Sequence, residues 1–444
     1  MDKDTQLSLD FKTISGKRVT ADFTGGDVTS DGGVLLLREV ADKIGIIDQL
    51  TDAITDNRHQ SYVRHDVKSL LTQRIMQIGC GYEDADDADD LRTDPGFKAS
   101  CDRLPSGSDL ASQPTMSRFE NTLTSKDIRR IADVLINQFI SSYKTPPEGI
   151  ILDVDDTNDP THGAQQLSLF NSYHDGYCYM PIFIFDGVSG DLISGILRPG
   201  KRPTGKEVRS LIKRIVTRIR TAWPSVGILF RGDSHYATPE LFSWCDSHDV
   251  HYISGLAGNA ILAERAKGAI AAARREYERT GKKSRIFRQT RYQAGTWHRE
   301  LRVIIMAEVS SRGDNVRFIV TSLESSPPEF LYQTAYCDRG RMENFIKEHK
   351  VALKSGRTSC HRYMANFFRL MLHSAAYVIF HTLRKTALAD TEFATAQFDT
   401  IRLRFLKIGA EVRELKTSVR FIYPASFPLK DIFTTMYNSV VMQT

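Results

Sequence analysis

The chain has 444 residues, 41% hydrophobic and 25% charged, enough to bury the cores of two or three domains and too balanced for a disordered or low-complexity protein. Its formal charge of +5 permits a nucleic-acid partner without requiring one, so where the charge sits decides more than its total. The first residues carry no apolar signal region, and the most apolar stretch, 364–383, is interrupted by Arg369 and His373; a cytoplasmic protein with no membrane partner is expected.

Six cysteines, at 80, 101, 178, 245, 337 and 360, make no CxxC pair and have no accompanying His spacing, so neither a zinc site nor a disulfide framework is indicated. Residues 1–147 read as a mainly helical domain after two strand-like pieces. The Gly-rich stretch 25–33 lacks the Lys-Ser/Thr of a nucleotide loop and reads as a turn before a helix over 33–50. A second amphipathic helix is expected over 65–78. The acidic run 83–90 lacks the Gly and terminal Glu of a calcium loop, which leaves a solvated surface or a partner for Arg92. Ser112 to Arg118 opens another helix, either as a DNA-reading element or simply as a helix start with Pro114 in its first turn.

After Pro146 and Pro147 the periodicity changes. An apolar run from 149 ends in Asp153, Asp155 and Asp156, and strands at 177–185 and 192–197 follow across a turn. A helix over 205–222, a strand over 226–233 ending in Asp233, a helix over 238–245 and a strand from 250 complete an α/β, ribonuclease-H-like order within 148–256. Asp153 and Asp155 alternate to the same side of their strand. Acids at strand ends lie where α/β sheets gather their active groups.

Residues 257–325 read as a β-rich basic insertion. From 261 to 302 there are 12 Lys and Arg against 4 Glu, and Tyr292 and Trp297 interleave aromatic rings with that charge. Residues 326–444 resume the core and close with helices expected to pack on it. Within them Tyr336, Arg339, Glu343 and Lys350 fall on one stripe about 60° wide at roughly 100° per residue, with Lys347 close by. Such a stripe is either a solvated face with an Arg339 to Glu343 pair or a metal-binding acid among phosphate-gripping groups.

The spacing of Tyr336, two residues, Arg339, three residues, Glu343, six residues and Lys350 resembles the signature of bacterial insertion-sequence transposases of the DDE type, many of which cut DNA through a hairpin intermediate. The resemblance implies that Asp155, Asp233 and Glu343 are catalytic and hold Mg²⁺ or Mn²⁺. In the family the first aspartate precedes a small residue and Thr, which Asp155-Asp156-Thr157 matches, with Asp153 as the alternative. The second motif matches in Phe230-Arg-Gly-Asp-Ser-His-Tyr236, although His235 stands where many relatives have Gly.

The resemblance further implies that Tyr336, Arg339 and Lys350 bind DNA phosphates. Lys347, His162, Arg288 and Arg291 are further DNA-binding candidates. Relatives use an insertion at this place to hold a flipped base, which makes Trp297 a candidate for stacking worth roughly 1–3 kcal/mol. The expected function is cut-and-paste transposition, with domain 1–147 binding terminal inverted repeats, the 3′ ends joined to target DNA, and a homodimer in a synaptic complex at the nucleoid. A DDE-type nuclease without strand transfer would share the same core residues, and a catalytically silent DNA-binding derivative would lack one of the three acids.

Overall fold

Eight strands between residues 149 and 321 form one sheet: β1 (Gly149–Asp156), β2 (Ile182–Asp186), β3 (Leu192–Ile196), β4 (Gly227–Gly232), β5 (His251–Leu256), β6 (Ser284–Tyr292), β7 (Leu301–Ser310) and β8 (Gly313–Thr321). Their order is β3-β2-β1-β4-β5-β8-β7-β6 in this computed structural model, which describes residues 8–442. The first five strands carry the ribonuclease-H-like arrangement. An antiparallel meander β1-β2-β3 meets β4 and β5, which run parallel to β1.

The register fixes what the sheet presents. Asp153 is paired with Arg231 and Val154 with Gly232, so the next residues, Asp155 and Asp233, stand side by side where the pairing of β1 with β4 ends. The strands form because Ile150, Leu152, Val154, Ile228 and Phe230 are buried together on one face of the sheet, where they join a single apolar core.

One of the covering elements is α1 (Ser125–Ser141), capped by Thr124 and Asp127. Helix α2 (Gly205–Ala222) starts at a capping box of Thr204 and Glu207 and buries Val208, Ile212, Ile215, Val216 and Ile219. Each such side chain contributes roughly 1.5–3 kcal/mol by leaving water. Helix α3 (Pro239–Ser247) and helix α4 (Ala260–Thr280) complete the connections of the second half, α4 packing on β6 and β7.

Three features differ from the sequence expectation. The strand expected over 177–185 breaks at Met180 and Pro181. Gly176–Tyr179 pairs instead with Asp159–Pro160 and Leu169–Asn171 in a separate small sheet, because proline has no N–H to donate to a continuing ladder. The strands of the basic insertion make no sheet of their own, since β8 hydrogen-bonds to β5 and the core sheet simply continues.

The signature segment is not uniform α-helix either. Wide π-helical turns at Leu331–Tyr336 and Glu348–Ala352 and a tight 3₁₀ turn at Cys337–Arg339 flank α5 (Gly340–Lys347). Residues per turn change along it, so the 100° stripe is not kept.

Two compact units emerge from the packing. One holds residues 48–57 and Phe119–His381, including the eight-stranded sheet; the other gathers the described residues up to Ile47, Arg58–Arg118 and those from Thr382 onward. In the second unit Ala410–Leu415 pairs with Val28–Thr29 and with Ser418–Ile422, and Lys407 Nζ lies 2.7 Å from Asp31 Oδ1. A Cβ on Gly33 would sit 1.8 Å from the Phe405 carbonyl oxygen, so only glycine fits there. The C-terminal segment thus folds with N-terminal helices, a pairing across nearly 400 residues that no local pattern announces. Among the described residues no helix is long and apolar enough to cross a membrane.

Candidate active site

Asp155 and Asp233 face a common cavity of about 960 Å³, which Asp156, Lys201, Arg202, His235 and Lys350 also line. Burial pushes the Asp155 carboxyl up to about 6; the Arg339 guanidinium opposes this and the charge of Asp233 adds to it. Arg339 donates from Nη1 to Asp155 Oδ2 at 2.8 Å, its side chain mostly buried. Asp233 caps the tight turn Ser234–Tyr236 by accepting from the His235 N–H at 2.8 Å, which aims that carboxylate.

Asp153 lies apart from the cavity although it shares the strand of Asp155. Its carboxylate is fully buried and accepts two hydrogen bonds from Arg231, that from Nη2 at 2.6 Å. Arg231 Nη1 donates onward to the Ala335 carbonyl at 2.7 Å, tying the sheet to the π-helical turn that carries Tyr336. A Cβ on Gly187 would crowd both ends of that pair at 2.7 Å. Asp153 is therefore committed to an internal ion pair.

Tyr336 is half-buried, and its hydroxyl packs against Gly255, where an added Cβ would meet it at 2.7 Å and the Ser234 nitrogen at 2.9 Å. Lys350 reaches the loop after β1, donating to Thr157 Oγ1 at 3.0 Å and to the Asn158 carbonyl, with Asp159 Oδ1 at 3.1 Å. Asp159 is 1% exposed, and burial pushes its carboxyl up to about 6 against the pull of Lys350. Ion-pair contact is made there without an aligned hydrogen bond to either carboxylate oxygen. Tyr336, Arg339 and Lys350 thus approach the ends of β1 and β4 from one helical segment.

Other sequence candidates lie elsewhere. Glu343 follows Arg339 by four residues and is exposed on α5, not lining the cavity. Lys347 and His162 are exposed, as is Arg288 on β6. Arg291 forms a two-pronged pair with Glu324 at 2.6 and 3.0 Å. Trp297 is a core residue, 6% exposed and packed edge-on against Phe242 and Tyr292. Its ring is largely covered, because the strands of the insertion continue the core sheet and Phe242 and Tyr292 pack on it.

The donor set suits a hard divalent cation. Asp155, Asp156 and Asp233 offer only carboxylate oxygens to one cavity, and the crowding of Asp155 by Asp233 is the like-charge strain such an ion relieves. Among the described residues, no three His, Cys, Asp or Glu side chains stand at metal-holding spacing, so two aligned acids are the preformed part.

Sequence reasoning missed Asp159 and the aromatic rim of the same cavity, Phe170 and Tyr173, of which Tyr173 is 89% exposed. Asp159 had no local signal, its partner Lys350 lying far along the chain. The rim had one: aromatic residues on an otherwise polar hairpin.

Residues 11–443 match the family model described as transposase DDE domain group 1, and the chain belongs to that family. It is a transposase, with a DDE domain that spans nearly all of it. No curated protein matches it. A cryo-EM structure of a piggyBac transposase synaptic complex with hairpin DNA is similar over 92% of this chain and 85% of that one, with a TM-score of 0.43 and 11% identity.

Proposed function

We propose that the chain is the transposase of a bacterial insertion sequence of the Tyr-Arg-Glu-Lys group. It would cut duplex DNA at the element's terminal inverted repeats and join the freed 3′ ends to target DNA. The observation that carries this reading is the adjacency of Asp155 and Asp233, set side by side by the register of β1 and β4 and facing one cavity with Lys350. Asp155 and Asp233 would hold Mg²⁺ or Mn²⁺ in the cavity, and Glu343, exposed on α5 outside the cavity lining, would be the third acid that the family signature supplies. Bound there, the metal supplies activation of the attacking oxygen and stabilisation of the leaving one.

The chain's own residues do the rest. Arg339 offers a planar fork to a phosphate beside Asp155, and Lys350, which lines the cavity, offers a point charge. Tyr336, wedged at Gly255, fixes the approach of the helical segment to the turn of Asp233. The segment 1–147 would contribute binding to the repeats, and two copies would synapse two ends.

The test is a reaction of purified protein with Mg²⁺, duplexes bearing the element's terminal repeats, and a target plasmid. Cleavage at the repeat boundary followed by joined products is expected. Cleavage with no joined product would instead identify a DDE-type nuclease.

A further inference from the structure

A second cavity, of about 880 Å³, lies wholly within the unit that contains Arg58–Arg118. Its walls carry Arg58, Arg64, Arg92 and Arg118, with His65 and the aromatic ring of Tyr62. Among the described residues Asp109 is the one carboxylate lining it, and Lys98 at 3.6 Å and Arg92 at 3.9 Å already counter its charge. Four guanidinium groups around one concavity repel each other, a cost that folding alone does not require.

Two of those groups are held by hydrogen bonds. Arg58 Nη1 donates to the His65 carbonyl at 2.9 Å and Arg118 Nη2 to Thr115 Oγ1 at 3.2 Å. Behind them Arg103 donates to the Asp109 carbonyl at 2.6 Å and meets His65 Nδ1 at 2.9 Å. Tyr62 is 85% exposed beside His59, a large ring that packing does not explain. Ser112, just before the helix Gln113–Glu120, and Thr115, within it, add hydroxyls.

We propose that this cleft is a binding site for the phosphate backbone of duplex DNA. A single small anion would engage one or two of these arginines; four spread around a cavity of this size match successive phosphates of a polyanion. The sequence left open whether the helix beginning near Ser112 contacts DNA, and the placement of Ser112, Thr115 and Arg118 on this wall favours contact. The inference rests on the reading of the chain as a transposase acting on its own ends, and it assigns residues of the other compact unit that hold them.

The experiment measures binding of the full-length protein to a fluorescent duplex bearing the terminal repeat, by anisotropy across a salt series with the divalent metal chelated. Arg64 and Arg118 are exposed, so a double change to Ala leaves the fold intact, which a thermal melt verifies. With Arg64→Ala and Arg118→Ala together, the slope of log affinity against log salt should become shallower by about 2, roughly 0.9 for each lost phosphate contact, and binding should weaken by about tenfold or more. The matching double change to Lys should keep the wild-type slope. As an independent variant, Arg118→Glu should weaken binding more than Arg118→Ala.

Wild-type affinity and slope in the Ala pair, or equal losses in the Ala and Lys pairs, would overturn the proposal. Because metal is absent, a protein that binds in this way yet never cuts leaves the cleft standing and removes only the catalytic reading. A protein that cuts its ends with the Ala pair unchanged in binding removes only the cleft.

Discussion

Arg231 and Asp153 sit opposite each other on neighbouring parallel strands as a fully buried ion pair, and the remaining guanidinium nitrogen reaches the Ala335 carbonyl at 2.7 Å. The pair joins the middle of the sheet to the segment that sets Tyr336 against Gly255 and Arg339 on Asp155. Asp153→Asn leaves a buried cation uncompensated and should cost about 3–5 kcal/mol of stability, read as a lower urea midpoint. The double change Asp153→Leu with Arg231→Met should cost less than either single change, because no charge is then stranded. A double variant no better than the singles would show that the pair is not a closed unit.

Gly255 should matter through Tyr336. Gly255→Ala places a methyl 2.7 Å from the tyrosine hydroxyl and 2.9 Å from the Ser234 nitrogen, displacing both the helical segment and the turn of Asp233. Misplacement on this scale costs on the order of 10²-fold in rate. Adding Tyr336→Phe removes the hydroxyl that clashes and should recover part of that loss; end-cleavage rates of the single and double variants decide it.

His349 gives a pH dependence of stability. It is fully buried between Ser355 at 2.6 Å and Ser374 at 3.0 Å, and burial drives its pKa from 6.5 to about 3. The folded state binds the proton less readily than the unfolded chain, so stability from this group is fully present above pH 6.5 and is lost as pH falls toward about 3. Between pH 7 and pH 5 the loss should be about 2 kcal/mol at most, by urea denaturation. His349→Gln should flatten that part of the profile, and an unchanged profile would show that the imidazole is not held neutral.

Trp297→Ala should act on the fold. Removing a buried indole packed on Phe242 and Tyr292 should cost about 3–5 kcal/mol. Among molecules that remain folded, every DNA-processing step should slow alike. A selective defect in one step with wild-type stability would return the residue to a DNA-contacting role.

The sheet was legible because its strands are short apolar runs closed by acids, and the order of strands and helices from 149 to 256 leaves few ways to connect them. Asp155 and Asp233 were legible for the same reason, each standing where a strand ends. The choice between Asp153 and Asp155 was not, since both point the same way and only the three-dimensional partner of Arg231 separates them. The burial of Trp297 was not legible, because aromatic residues among cations look alike whether they cover DNA or a sheet. Lys350 and Asp159, and Asp31 and Lys407, meet across long stretches of chain, where periodicity carries no information.

The most direct test of Asp155 and Asp233 as the cutting site is the rate of end cleavage in Mg²⁺ by wild type, Asp155→Asn and Asp233→Asn at matched DNA occupancy. Each variant should bind the terminal repeat as wild type does and cut it slower by on the order of 10⁴-fold, the scale seen when a group at the centre of a catalytic set is removed. Cleavage by either variant within a few-fold of wild type would contradict the assignment and move the chemistry away from this cavity.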